Sequence, residues 1–180
     1  GKAENYLRSF SGERVNVSIF RPSVIFGAGD SFLNRFAKLM KFTPIVFPLA
    51  CADARFAPVY VGDVVSCMVD VIRQAPSPRT TYDLCGPKIY TLKELVEYTA
   101  KLCGATCKVI SLPPLLSRLQ AFIFNYFPGK PFSTDNYNSL KVDSICKEGE
   151  SCRTSVEAIA PTYLAHSRAL NLDRFRNWRA

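Results

Sequence analysis

Asn16-Val17-Ser18-Ile19-Phe20-Arg21-Pro22-Ser23-Val24-Ile25-Phe26-Gly27-Ala28-Gly29 is the most informative segment of this chain. An apolar, β-branched run leads into Gly-x-Gly, and a helix-like stretch from Phe32 to Met40 follows. Strand, glycine turn and helix in that order belong to nucleotide-binding α/β units. The dinucleotide fingerprint itself does not fit. Its third glycine would stand at residue 32, where Phe32 sets a large side chain between helix and strand, and Pro22 removes a backbone donor from a strand that should be buried.

On either side of this segment the pattern alternates strand and helix. Residues 2 to 10 carry a helical pattern, and Val15 to Phe20 run apolar as a buried parallel strand does. Asp30-Ser31 is positioned to cap a helix reaching Met40, and Thr43-Pro44 stops it. Ile45 to Ala50 and Arg55 to Val61 read as strands, and Asp63 as the N-cap of a helix from Val64 to Ile72, which gives that carboxylate a capping role rather than a catalytic one. Thr81 to Leu84 is a further strand. Thr91 and Glu94 form a Thr-x-x-Glu capping box for a helix ending near Leu102 with Gly104 as its stop. Lys108 to Ile110 is a short strand, and Pro113-Pro114 opens a helix with apolar residues at Leu115, Leu116, Leu119, Phe122, Ile123 and Tyr126. That stripe suits a core or a partner-facing surface, or with Phe122, Phe124 and Phe127 a quinone or lipid groove.

With 180 residues, 48% of them apolar, the chain can bury a sizeable core as one domain, or one domain with a tail. No apolar run reaches the roughly 20 residues that span a bilayer, since Leu115 to Phe127 is interrupted by Ser117, Arg118, Gln120 and Asn125. The seven cysteines are an odd number at scattered positions, which argues against a complete disulfide framework, for a reducing compartment, and for mostly buried thiols. Cys103, Cys107, Cys146 and Cys152 lack the tight pair spacing of a zinc ribbon, so no metal is expected. The single histidine, His166, sits in a polar stretch as a solvated side chain. A net charge of +8 is spread over single Lys and Arg residues, giving a basic surface without a nucleic-acid-binding run. Arg168, Arg174, Arg176 and Arg179 gather around Phe175 and Trp178, as a tail or as an amphipathic contact with a protein or an anionic membrane.

Arg21-Pro22-Ser23-Val24-Ile25-Phe26-Gly27 resembles the Arg-Pro-x-x-Val-(Tyr/Phe)-Gly segment of extended and atypical short-chain dehydrogenase/reductases, with Ile25 in place of valine. Lys2-Ala3-Glu4 resembles the end of that family's Tyr-x-x-x-Lys helix, and Pro58 to Val64 its substrate-side strand and helix start. Phe32 to Ala37 is most similar to the branch containing the NAD(P)H-binding accessory subunit of respiratory complex I. The resemblance runs from Lys2 to about residue 144, more in layout than in motif over its last third.

The resemblance implies an α/β fold: the carboxyl-terminal part of a Rossmann-type, doubly wound parallel sheet with a small α/β substrate-binding subdomain. Residues 1–75 would continue the nucleotide-binding sheet, with a substrate-domain insertion near 30–58, residues 76–145 would form the subdomain, and 146–180 a tail or partner-contact segment. The family's glycine loop would lie upstream, and its tyrosine four residues before Lys2. The chain is therefore expected to be half of a larger NAD(P)-binding oxidoreductase, epimerase or dehydratase, inactive alone and unable to bind NAD(P) tightly. The alternative is a non-catalytic NAD(P)H-binding structural or assembly subunit of complex I.

By the same resemblance, Lys2 is the motif lysine that bonds the nicotinamide ribose and lowers the tyrosine pKa, against the plainer reading of a solvated terminal side chain. The backbone of Pro22, Ser23 and Val24 would face the nicotinamide, and Asn34, Arg35 and Arg55 the substrate, with the Arg55 guanidinium suited to a diphosphate. Expected partners are a nucleotide-binding half and complex I or the inner-membrane surface, and the expected location is cytoplasmic or peripheral to that membrane.

Overall fold

A computed structural model describes residues 2–9, 17–43, 45–74, 81–124, 134–140, 142–146 and 150–165. The first part contains α1 (Lys2–Ser9), β1 (Ile19–Pro22), β2 (Ile25–Phe26), α2 (Leu33–Met40), β3 (Val46–Leu49), β4 (Arg55–Phe56), β5 (Val59–Tyr60) and α3 (Val61–Arg73). The second contains β6 (Thr81–Cys85), β7 (Tyr90–Thr91), α4 (Leu92–Cys103), β8 (Lys108–Ser111), α5 (Pro114–Phe124), α6 (Thr134–Ser139), β9 (Glu150–Ser151) and α7 (Val156–Leu164). Strands and helices alternate, as the sequence pattern predicts for an α/β chain.

The pairing is mostly parallel. β6 lies between β1 and β9, with Ile19 opposite Thr81 and Leu84 opposite Glu150. β2 pairs with β5 and β3 with β8, also parallel, while β4 and β7 are antiparallel. Pro22, which cannot donate to a ladder, is tolerated because β1 is at the edge of its sheet among the described residues.

Two cores result. The larger joins α2, β3, β4, α4, β8 and α7 around Leu33, Phe47, Phe56, Leu95, Val96 and Leu164. The smaller packs Val59 and Val64 against Tyr82 and Leu84, with Phe20, Cys67 and Cys152 beside them. The larger core draws on residues from all three stretches of the sequence-based division. α7, inside the segment read as a tail, buries Val156, Ala160 and Leu164.

Local chemistry explains several boundaries. Thr91 Oγ1 accepts from the Glu94 amide at 3.2 Å while the Glu94 carboxylate accepts from the Thr91 amide at 2.7 Å, so the predicted capping box forms. Gly104 ends α4 at a φ of 68°, the left-handed conformation that suits a residue without a Cβ. Gly86 is required for close approach, because a Cβ there would lie 1.8 Å from the Pro58 carbonyl oxygen.

Other expectations are corrected. The strand read from Arg55 to Val61 is two, because Pro58 and the Ala57 turn toward Ser144 interrupt it, and α3 already begins at Val61. Asp63 is therefore not the N-cap, a position held by Tyr60. Its carboxylate instead accepts from the Thr154 amide at 3.1 Å and hydroxyl at 2.9 Å, fastening the approach to α7 onto α3. Asp30 lies two residues further out than the N-cap position of α2 and still accepts from the Asn34 amide at 3.2 Å. Cys85 and Cys146 form a disulfide, which the odd count and scatter of cysteines gave no reason to expect; folding brings positions 61 residues apart together at the end of β6. Nor are most thiols buried: Cys51, Cys67, Cys103 and Cys152 are half-buried. His166 and the basic-aromatic cluster from Arg168 to Arg179 lie outside the described residues, as do Phe127 and the side chain of Phe124.

Candidate functional site

The carboxyl ends of β1 and β6 open on one cleft of about 600 Å³, lined by Arg21, Pro22, Ser23, Asp83, Asp143 and Ser144, with the Cys85 and Cys146 bridge in its wall. Parallel strands place ligand crevices at their carboxyl ends, where chains leave the sheet and backbone groups lose ladder partners. A second cleft of about 500 Å³ lies beyond Val24, walled by Phe32, Phe36, Phe47 and Leu140, with Ser31, Arg35, Gln120 and Ser139 as its polar members.

Segment 142–146 builds one wall of the first cleft. Its Ser144 amide donates to the Arg55 carbonyl at 2.9 Å, its carbonyl accepts from the Ala57 amide at 3.0 Å and from the Ser23 hydroxyl at 2.6 Å, and the disulfide ties Cys146 to β6. Asp143 receives Arg55 Nη2 at 2.7 Å, Nε at 2.9 Å and the Arg55 amide at 3.1 Å. These bonds hold the Asp143 carboxyl below its ordinary pKa. On the opposite side Arg21 pairs bidentately with Glu4 of α1, whose carboxyl is drawn down to about 2, chiefly by that bond. The pairing brings the start of α1, where Lys2 stands, beside the exit of β1.

The predicted residues divide between locations. Pro22 and Ser23 line the first cleft; Val24 and Arg35 line the second. Ser23 is already engaged, its amide on the Leu84 carbonyl at 2.9 Å and its hydroxyl on Ser144. Asn34 is half-buried on α2, and the Arg55 guanidinium is clasped by Asp143. Neither lines these two clefts. Of Lys2 the structure describes the helical backbone only.

Sequence reading missed Asp143, Ser144 and Cys146, because Ser144 meets Ser23 across 121 positions and no local pattern marks such a contact. It also missed Tyr163, whose hydroxyl donates to Asp30 at 2.6 Å. Burial and then the Asp30 bond raise that phenol's pKa, keeping it a neutral donor that pins α7 to the Gly27–Asp30 loop. The first cleft can position and bind through Arg21, Asp83, Asp143 and backbone groups. Among the described residues no cluster of His, Cys, Asp and Glu is arranged to hold a metal, and no helix is long and apolar enough to cross a membrane.

Known proteins resemble this chain in sequence and in fold. NADH dehydrogenase (ubiquinone) 1 alpha subcomplex subunit 9, mitochondrial, of Mus musculus is 32% identical over 133 residues, covering 73% of this chain and 34% of the relative. The Arabidopsis thaliana protein of the same name is 28% identical over 144 residues, covering 73% and 35%. This chain thus spans about a third of the length of the curated relatives it matches. Among solved structures, UDP-glucose 4-epimerase of Thermotoga maritima superposes with a TM-score of 0.57 at 15% identity, covering 94% of this chain and 52% of that one. An epimerase from Methanothermobacter thermautotrophicus gives 0.60 at 11% identity, covering 97% and 49%. At such identities these establish the fold alone, a Rossmann-type α/β architecture. The 3-beta hydroxysteroid dehydrogenase/isomerase family matches residues 2–98, from α1 through the β1 exit and α3 into α4, and this chain belongs to that family.

Proposed function

We propose that this chain is the substrate-side half of an NAD(P)-binding protein of the short-chain dehydrogenase/reductase type and works with a nucleotide-binding half packed against it. The observation that carries this reading is an unfinished surface. β1 pairs only with β6 among the described residues, and α3 turns a second apolar stripe outward, Val61, Val65, Met68, Val69 and Ile72, while Val64, Cys67 and Val71 face the smaller core. A helix apolar on two faces belongs between two layers. In this reading residues 1–75 continue the nucleotide-binding sheet around their 30–58 insertion and residues 76–145 supply the substrate side.

The β1 exit fits a nicotinamide ring, because Pro22 and Ser23 shape a cleft at the carboxyl ends of parallel strands, with the Ser144 segment bracing Ser23. NAD(P) would supply hydride exchange there. Lys2 would hold the ribose, Pro22, Ser23 and Val24 would position the ring, and Arg35 would meet the substrate beyond Val24, with Asn34 beside it on α2 reaching the substrate only from outside that cleft. Arg55 would act there only after release from Asp143. Titration calorimetry with NADPH tests this. The 180-residue chain alone is expected to show no micromolar affinity, and a co-expressed half carrying the glycine loop is expected to restore it; micromolar binding by the chain alone would overturn the reading.

A second reading is favoured by the names of the two relatives, which are subunits of NADH dehydrogenase: an NAD(P)H-binding structural or assembly subunit associated with respiratory complex I at the inner membrane. It is supported if the tagged protein co-migrates with complex I on native gels and releases nucleotide on denaturation, and it is lost if the protein migrates apart from the complex.

A further inference from the structure

Two acid-free stretches of the sequence fold together. No Asp or Glu stands between Asp30 and Asp53 or between Glu97 and Asp135, while Arg35, Lys38, Lys41, Lys101, Lys108, Arg118 and Lys130 do. β3 from the first stretch pairs in parallel with β8 from the second, and Gln120 of α5 donates to the Pro48 carbonyl at 3.1 Å, so α2, β3, β8 and α5 form one lobe.

The lobe is also the greasiest exposed part of the described protein. Phe42 and Ile45, in the turn between α2 and β3, are 83% and 80% exposed, and Leu115 on α5 is 79% exposed. Val46 and Ile110 share the outer face of the β3–β8 pair with Lys108, and Leu119 follows Leu115 one turn along α5. Lys38, Lys41, Lys108 and Arg118 are exposed among them. Single exposed apolar residues need no explanation, but a set of them interleaved with exposed cations on elements that carry no acidic residue does. The α3 stripe differs on this point, since Asp63 and Asp70 lie on the same helix. An acidic helix suits a protein layer, whereas large apolar side chains amid cations suit the headgroup boundary of a bilayer, where apolar groups insert and cations meet anionic lipid.

We propose that the α2–β3–β8–α5 lobe is a peripheral docking surface for an anionic lipid bilayer. Phe42, Ile45 and Leu115 enter the headgroup boundary, and Lys41, Lys108 and Arg118 lie against the charged lipid. The C-terminal cluster of Arg174, Arg176 and Arg179 is not required for this contact.

The test is co-sedimentation of the full 180-residue chain with vesicles of phosphatidylcholine alone and of phosphatidylcholine mixed with phosphatidylglycerol. Partitioning onto the mixed vesicles is expected to be about tenfold stronger and to fall as salt rises, because the Debye length shrinks to a few ångströms near 1 M. Two triple variants, Phe42→Ser/Ile45→Ser/Leu115→Ser and Lys41→Glu/Lys108→Glu/Arg118→Glu, are each expected to lose about tenfold. Should either fail to fold by circular dichroism, the single changes Phe42→Ser and Lys41→Glu replace them, with about a threefold loss expected of each. Undiminished binding by the folded variants overturns the proposal, as does loss of binding on replacing Arg174, Arg176 and Arg179 instead. A wild-type chain that ignores both vesicles and self-associates through the same side chains also overturns it, marking the lobe as a protein interface.

Discussion

The larger core and the β1–β6–β9 sheet are built from similar residues but end in different states. Around Leu95 and Val96, helices α2, α4 and α7 close over the strands, and buried side chains meet on every side. Around Val59 and Leu84, one face is closed and the other carries the exposed α3 stripe. Apolar content alone does not say whether a surface is finished; the side of the helix that finds a partner does. The finished region should respond to mutation as a core, and the unfinished one as an interface.

The largest effect expected is in the finished region. Leu95→Ala removes a side chain that is 1% exposed and leaves a cavity between α4 and its neighbours, at a cost of about 2–5 kcal/mol by urea unfolding. A cost below 1 kcal/mol would mean that this core is as open as the other. Cys146→Ser releases segment 142–146 from β6, and opening a loop of 61 residues should cost about 2–4 kcal/mol. It should also raise hydrogen exchange at the Ala57 and Ser144 amides, whose bonds fix the cleft wall, while amides in α4 are expected to change little. Thr91→Ala removes half of the capping box and should cost about 1 kcal/mol, measured by the same unfolding.

Acid provides a smaller, site-specific comparison. The Glu4 carboxyl has its folded pKa drawn from 4.5 to about 2 by Arg21. A depressed carboxyl pKa contributes stability that is present above about 4.5 and is lost as pH falls toward 2. Protection of α1 amides should therefore fall across that window in the native protein and stay flat in Glu4→Gln. Because the pair is exposed to solvent and screened, global stability should barely register it. The smallest effect concerns the unfinished face. Ile72→Ser on α3, where Ile72 is 74% exposed, should change unfolding free energy by less than about 0.5 kcal/mol yet weaken association with a nucleotide-binding half. A large destabilisation would show that the stripe is already covered.

Much of the fold was legible locally. The Thr91 box, Gly104, Pro44 and the apolar periods specify α2, α4 and β8 to within a residue or two, because capping and periodicity act over three or four positions. α7 was missed: its Ala, Pro and Thr residues make a weak amphipathic pattern, and the helix gains its burial from α4, far away in sequence. The candidate site was legible only in part. The Arg21 to Gly27 segment announced the strand exit, but the wall opposite Ser23 comes from Ser144, and the anion site read into Arg55 is filled by Asp143.

By itself the sequence determined the alternation of strand and helix, the family resemblance at Arg21-Pro22 and the acid-free stretches, since these depend on residue identity and spacing along the chain. Tertiary structure decided which carboxylate holds Arg55, which cysteines join, which face of α3 stays exposed, and that the two cationic stretches share one lobe. Those outcomes depend on contacts between residues tens to more than a hundred positions apart, whose selection follows from packing the whole chain rather than from any window of it.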